Sequence, residues 1–257
     1  MPTVTDIASA MAARTRPDLT PAWDPAGLQI GDPGGEVTNV GVCHEVTESV
    51  VTAVEKHPVD LLVTYHPLLF TPTTTILAGK SAGARSYRLI RAGVSLLVTH
   101  TDFDAASGGT ADALAEFFDL RDVEPFGGDE TTGLPPIGRV GGFTGTVGTI
   151  DARLTDAFGP IGLRVSGDRD VDVDRVAVVP GSGSSLIEAA AEVARVLVTG
   201  DVSHHRAVVA RDLGLTIVDP GHIATERPGM AALVAMVREV SGLDVTDLTG
   251  FDPQTWD

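Results

Sequence analysis

The stretch Asp60-Leu61-Leu62-Val63-Thr64-Tyr65-His66-Pro67 decides the fold. Leu61 to Thr64 is a continuous apolar run, and such a run reads as a strand buried on both faces. Val40 to Val42 before it and Val94 to Thr99 after it have the same character. Helices are expected at Ser49 to Glu55, Ala82 to Ala92 and Thr110 to Phe118. Strands and helices that alternate in this way predict an α/β fold, a mostly parallel or mixed sheet covered by helices.

Further out, Met1 to Arg16 reads as a helix with Asp6 as its cap, followed by a loop-rich segment from Pro17 to Gly35. On the C-terminal side, Gly127 to Pro136 shifts to glycine, proline, threonine and acids and reads as a boundary. Beyond it, Arg139 to Ile150 has strand character and Leu154 and Phe158 lie on a helix. Ser166 to Asp174 reads as a turn-rich surface. Val176 to Val179, Val196 to Thr199 and Thr216 to Val218 read as strands, with a helix at Leu186 to Val193. The last helix is expected from about Glu226 to Val240, with Pro228 in its first turn. The acidic segment Asp244 to Asp257 is expected to be peripheral.

The chain has 257 residues, long enough for about two domains at roughly 150 residues each. Its 18 cations and 35 acids give a net charge of −17, and 43% of its residues are hydrophobic, so a folded core is expected. The acidity argues against nucleic acid and anionic membrane surfaces as partners. One cysteine, Cys43, excludes an intramolecular disulfide and a cysteine-rich zinc site. Met1 to Thr20 lacks a long apolar core, so neither a signal peptide nor a membrane span is expected, and the chain is placed in the cytoplasm. Only Lys56 and Lys80 are lysine. Acid excess with so little lysine fits a halophilic-like surface adapted to salt, and a high-GC genome gives the same composition.

Function points to the histidines. Six of the seven, His44, His66, His100, His204, His205 and His222, follow apolar strand-like runs. Ligand sites in open α/β sheets form beyond the carboxyl ends of the strands. One such histidine alone would be a satisfied core or loop residue, but six together point to a shared pocket. His222 and Glu226 are four apart, so a helix that begins near His222 puts both on one face. Imidazole with carboxylate suits zinc, manganese or ferrous iron. His204 and His205 could line a pocket, bind an anion or shuttle a proton. The turn Pro180-Gly181-Ser182-Gly183-Ser184-Ser185 lacks the lysine ending of a Walker loop and reads as a tight structural turn.

Several motifs together resemble the Nif-three-like dinuclear metal-centre family, often labelled GTP cyclohydrolase 1 type 2 homologues. They are Trp23-Asp24-Pro25-Ala26-Gly27-Leu28-Gln29-Ile30-Gly31, Asp60 to Leu68, His100-Thr101-Asp102-Phe103-Asp104, Thr199-Gly200-Asp201-Val202-Ser203-His204-His205 and Gly221-His222-Ile223-Ala224-Thr225-Glu226. They occur in the family's order along nearly the whole chain, which matches the short form without an inserted middle domain.

The resemblance implies two divalent metals (Zn, Mn or Fe) in a cleft between two α/β domains. Carried over, His66, Asp104 and Glu226 hold one metal, and His222 and Glu226 hold the other with Glu226 bridging. Tyr65 stands where the family has a first histidine. The second site then takes Tyr65 as a phenolate, binds more weakly, or draws on a nearby imidazole such as His100. The resemblance also implies a homohexamer and metal-dependent hydrolysis of a small phosphorylated or nucleotide substrate. His100, His204 and His205 are then the candidate catalytic proton shuttles or phosphate contacts. A non-enzymatic metal-binding, metal-delivery or regulatory role needs the same ligands. Ligands drawn from both ends of the chain predict a first domain of residues 1–125 plus 219–257, with 126–218 as the second.

Overall fold

The computed structural model describes residues 1–15, 17, 20–79, 81–129 and 134–251. The chain divides into two compact units, Met1–Phe103 with Leu233–Asp257, and Asp104–Ala232.

The first unit begins with α1 (Val4–Thr15), β1 (Gly27–Ile30), β2 (Val40–Cys43), α2 (Glu48–Lys56) and β3 (Leu61–Thr64). It continues with α3 (Ala82–Ala92), β4 (Ser95–Val98) and the start of α4 (Thr101–Ala105). The strands β2, β3 and β4 are parallel and buried along their whole length, as their unbroken apolar runs predict. Val42 lies opposite Val63, and Val63 opposite Leu97, so the three strands end level. Val50, Val51 and Val54 of α2 and Leu89 of α3 close one core with Cys43, Leu62 and Leu96. Each helix start has its own cap: Thr47 accepts from the Val50 amide, and Ser81 from the Ala84 amide.

The second unit holds α5 (Thr110–Phe117), β5 (Arg121–Phe126), β6 (Gly138–Thr146), α6 (Val147–Phe158), β7 (Arg164–Ser166) and β8 (Asp172–Ser182). Then follow α7 (Ile187–Val193), β9 (Val196–Gly200), α8 (His204–Asp212), β10 (Thr216–Asp219) and the first half of α9 (His222–Ser241). Its sheet has the order β5-β6-β8-β9-β10-β7, with parallel pairs β8–β9 and β9–β10 and antiparallel pairs elsewhere. Alternation along β8 sends Val176 and Val178 to a core with Leu114, Ile150 and Leu154, and Ala177 and Val179 to a core with Ile187, Ala190 and Ala210. Beyond α9, β11 (Val245–Asp247) returns to the first unit and pairs with β2, which completes the sheet order β1-β4-β3-β2-β11.

The observed elements depart from the sequence expectations in places. The segment read as a loop after Pro17 contains β1, which pairs antiparallel with β4. The segment read as turns, 166–174, contains the end of β7 and the start of β8. The last four residues of the expected strand 139–150 are the start of α6, where Thr146 and Thr149 form a capping box. The last helix starts at His222, four residues early, and Pro228 sits inside it. The turn before it fixes that start: the Gly221 amide donates to Asp219 Oδ1 at 2.9 Å, and Gly221 has φ +92°.

Residues 104–125 and 219–232, allotted to the first domain from the sequence, fall in the second unit. Buried Arg139 of β6 donates to Asp112, to the Ala105 carbonyl at 3.2 Å and to the Pro136 carbonyl at 2.7 Å. Gly229 of α9 lies against Thr110 of α5. Of the expected boundary at 127–136, residues 130–133 lie outside the described residues, as do 252–257 of the acidic tail. Among the described residues no helix is long and apolar enough to cross a membrane.

Candidate metal centre

Each unit presents its own set of ligand-type side chains. In the first, the level ends of β2, β3 and β4 carry His44, then Tyr65 and His66, then His100. The ladder continues past the strands: the His66 amide donates to the His44 carbonyl at 2.9 Å, and the Thr99 amide to the Thr64 carbonyl at 3.0 Å. The four rings therefore gather. His44 stacks on His66 with centroids 5.0 Å apart, and Tyr65 meets His66 edge-on at 4.8 Å. His100 lies 5.4 Å from His66 and 5.5 Å from Tyr65. Tyr65 and His44 are each 1% exposed.

Asp24 supports this cluster from behind. Its carboxylate lies 3.1 Å from His100 Nδ1 and accepts from the Thr101 amide and hydroxyl, which ties the first turn of α4 to the loop before β1. Burial pushes the Asp24 carboxyl up, but the bonds from His100 and Thr101 and the His100 charge outweigh it, so the group lies below the usual carboxylate range. Asp102, two residues beyond His100, accepts from the His100 amide at 2.7 Å, yet burial dominates there and pushes its carboxyl up.

In the second unit, His222 stands in the first turn of α9 between two carboxylates. Its Nδ1 is 2.7 Å from Asp201 Oδ2, and its Nε2 is 2.9 Å from Glu226 Oε1, one helical turn on. Glu226 is 2% exposed. Burial pushes the His222 imidazole down; the bonds and charges of Glu226 and Asp201 outweigh that and raise its pKa to about 9. The turn read from sequence as merely tight forms the wall of this pair. Gly181, at φ +61°, lies so close that a Cβ there would come within 2.6 Å of Glu226 Oε1. Its amide donates to Thr225 Oγ1 at 2.8 Å, which locks the end of β8 to α9. Asp104 of α4 is buried at 5% exposure. His204 and His205 sit on the exposed first turn of α8, with centroids 5.5 Å apart.

The structure thus brings Tyr65, His66 and His100 together in one unit and His222 with Glu226 in the other. Two members were missed as site residues: His44, in the ring cluster, and Asp201, on His222. His44 was legible as a strand-end histidine one strand over from His66. Asp201 carried no spacing signal, because its partner lies in another element. The donor set is imidazole, phenol and carboxylate, which suits borderline divalent metals. Two carboxylates on one imidazole make a negative setting in which a cation is favoured.

These features define an α/β protein with imidazole and carboxylate groups gathered at its strand ends and at the start of α9. The chain belongs to the Duf34/NIF3 (NGG1p interacting factor 3) family, which matches residues 2–249, as the motifs predicted. It is 34% identical over 256 residues to a GTP cyclohydrolase 1 type 2 homolog of Streptomyces coelicolor, covering 96% of this chain and 90% of that protein. Among solved structures, reduced HcgD from Methanocaldococcus jannaschii matches with 30% identity and TM-score 0.81, covering 96% of this chain and 98% of that one. A Bacillus cereus protein related to NIF3 shares the fold at 22% identity and TM-score 0.86, covering 100% and 99%.

Proposed function

We propose that the chain is a divalent-metal protein with a dinuclear site, acting as a metal-dependent hydrolase on a small phosphorylated or nucleotide substrate. By the family resemblance, His66, Asp104 and Glu226 would hold one ion and His222 and Glu226 the other. Tyr65, which stands where the family has a first histidine, would serve the second of these sites. The observation that carries this reading is His222 held at both ring nitrogens by carboxylates, beside the close glycine wall of Gly181. Bound metals would supply Lewis acidity for hydrolysis.

The chain's own groups have separate tasks. Asp24 holds His100 by Nδ1 and so orients its other nitrogen for proton transfer. His204 and His205, exposed on α8, are assigned to contact phosphate. Nucleotide ring opening follows the name of the S. coelicolor relative, a GTP cyclohydrolase 1 type 2 homolog. A homohexamer is proposed from the family resemblance, and native mass spectrometry of the purified chain reads it directly.

Elemental analysis tests the centre. Wild-type protein is expected to hold about two divalent ions per chain, and His222→Ala and Glu226→Ala to lose them. Unchanged metal content in both variants would overturn the assignment. Incubation of Zn-, Mn- and Fe-loaded protein with GTP and other nucleotides tests the reaction. Metal retained without turnover favours the metal-delivery role.

A further inference from the structure

Asp201 follows the β9 end at Gly200 and is not a metal ligand in any assignment above. Its backbone has φ +57°, the left-handed region that most side-chain-bearing residues avoid, though Asp119 and Asp122 adopt it too. Glycine would relieve that conformation, and the chain places glycine at most of its positive-φ sites, including Gly181 and Gly221. Position 201 instead keeps a carboxylate in the unfavoured geometry. That carboxylate is 2.7 Å from His222 Nδ1, while Nε2 on the far side of the ring is 2.9 Å from Glu226. The strand end is packed to hold this arrangement: a Cβ at Gly200 would lie 2.6 Å from the His222 amide.

We propose that Asp201 is a positioning residue for His222. It accepts the Nδ1–H, fixes the ring plane and leaves Nε2 as the ligand nitrogen facing Glu226. This inference rests on the proposed metal function and deepens it. A carboxylate behind a ligating imidazole orients it and raises its basicity, and removing such a partner typically costs about 10–100-fold in metal affinity.

The test compares Asp201→Gly, Asp201→Asn and His222→Ala with the wild type. Zinc affinity is read by chelator competition. The Nδ1–H proton of His222 is read by NMR in the metal-free protein. Asp201→Gly relieves the backbone, so it is expected to melt no lower than wild type while binding zinc about 10–100-fold more weakly. It should also lose the hydrogen-bonded Nδ1–H signal. Asparagine keeps an acceptor and tolerates the left-handed backbone, so it is expected to retain that signal and most of the affinity. Zinc affinity within twofold of wild type in a folded Asp201→Gly, with His222→Ala defective, would overturn the inference and leave the metal site standing. A wild-type chain that binds no zinc overturns the functional reading instead, and the Nδ1–H signal then decides the role of Asp201 alone: its persistence in Asp201→Gly overturns it, and its loss supports it.

Discussion

Gly181 shows how much one missing side chain can decide. Its φ of +61° and the 2.6 Å from a built Cβ to Glu226 Oε1 act in the same direction. Gly181→Ala is expected to destabilise the chain by about 1–2 kcal/mol from the backbone alone and to displace Glu226. Thermal melting and bound-metal content should fall together. Asp60, away from the centre, works by hydrogen bonding. Its Oδ2 accepts from the Thr38 amide and hydroxyl, both at 2.7 Å, and from the Asn39 amide at 2.9 Å. Burial pushes the carboxyl up, but these bonds outweigh it and hold it below its ordinary 3.8. A lowered folded pKa means that the stabilisation is complete above the unfolded value and lost as pH falls through the folded one. Asp60→Ala is expected to cost about 1–2 kcal/mol at pH 7, with the gap to wild type closing in acid. Denaturant melts at pH 7 and pH 3 check both parts. Most of the candidate ligands, His66, His100, His222 and Glu226, were readable because they follow apolar runs or recur at helical spacing. His44 was equally visible as a type and position, but its place in the ring cluster depends on which strand lies beside β3. Asp201 was invisible for the same reason: its meaning comes from a partner 21 residues away in another element.

Among the elements, the buried parallel strands were the most legible, because residues apolar on both faces leave few alternatives. The edge strands were not. β1, β7 and β11 are 4, 3 and 3 residues long and half solvated, so their composition matches that of loops. The start of α9 was placed four residues late, at about Glu226, whereas the Asp219–Gly221 turn sets it at His222. Helix α9 also depends on a small residue at a crossing. A Cβ on Gly229 would lie 2.6 Å from Thr110 Cγ2 and 2.9 Å from its Cα. On propensity alone, alanine at a helical glycine gains about 1 kcal/mol. Here the backbone contact is expected to reverse the sign, and Gly229→Ala should lose about 1–3 kcal/mol. Chemical denaturation measures it, and a stabilised variant would show that α5 can yield at its first turn.

For the whole molecule the net charge of −17 is the dominant electrostatic fact. Its exposed ion pairs, such as Arg14–Glu239 and Arg153–Asp119, contribute about 0–1 kcal/mol each. Self-repulsion among the acids should therefore outweigh them, and it weakens as the screening length falls to about 3 Å at 1 M salt. The melting temperature is expected to rise between 0.05 and 1 M NaCl, by roughly several degrees; a fall would mean that the ion pairs dominate. Composition made the charge legible, but not the division of the chain. Residues 104–125 side with the second unit because a buried arginine, Arg139, needs Asp112 and the Ala105 carbonyl. One further consequence follows from β11. It pairs with β2 although about 200 residues separate them in the chain. At a synthesis rate of about 5–20 residues per second, β2 leaves the ribosome roughly 10–40 seconds before its neighbour exists. The second unit, which ends at Ala232, precedes β11, so the nascent chain must carry the first sheet with one edge open until β11 has been made.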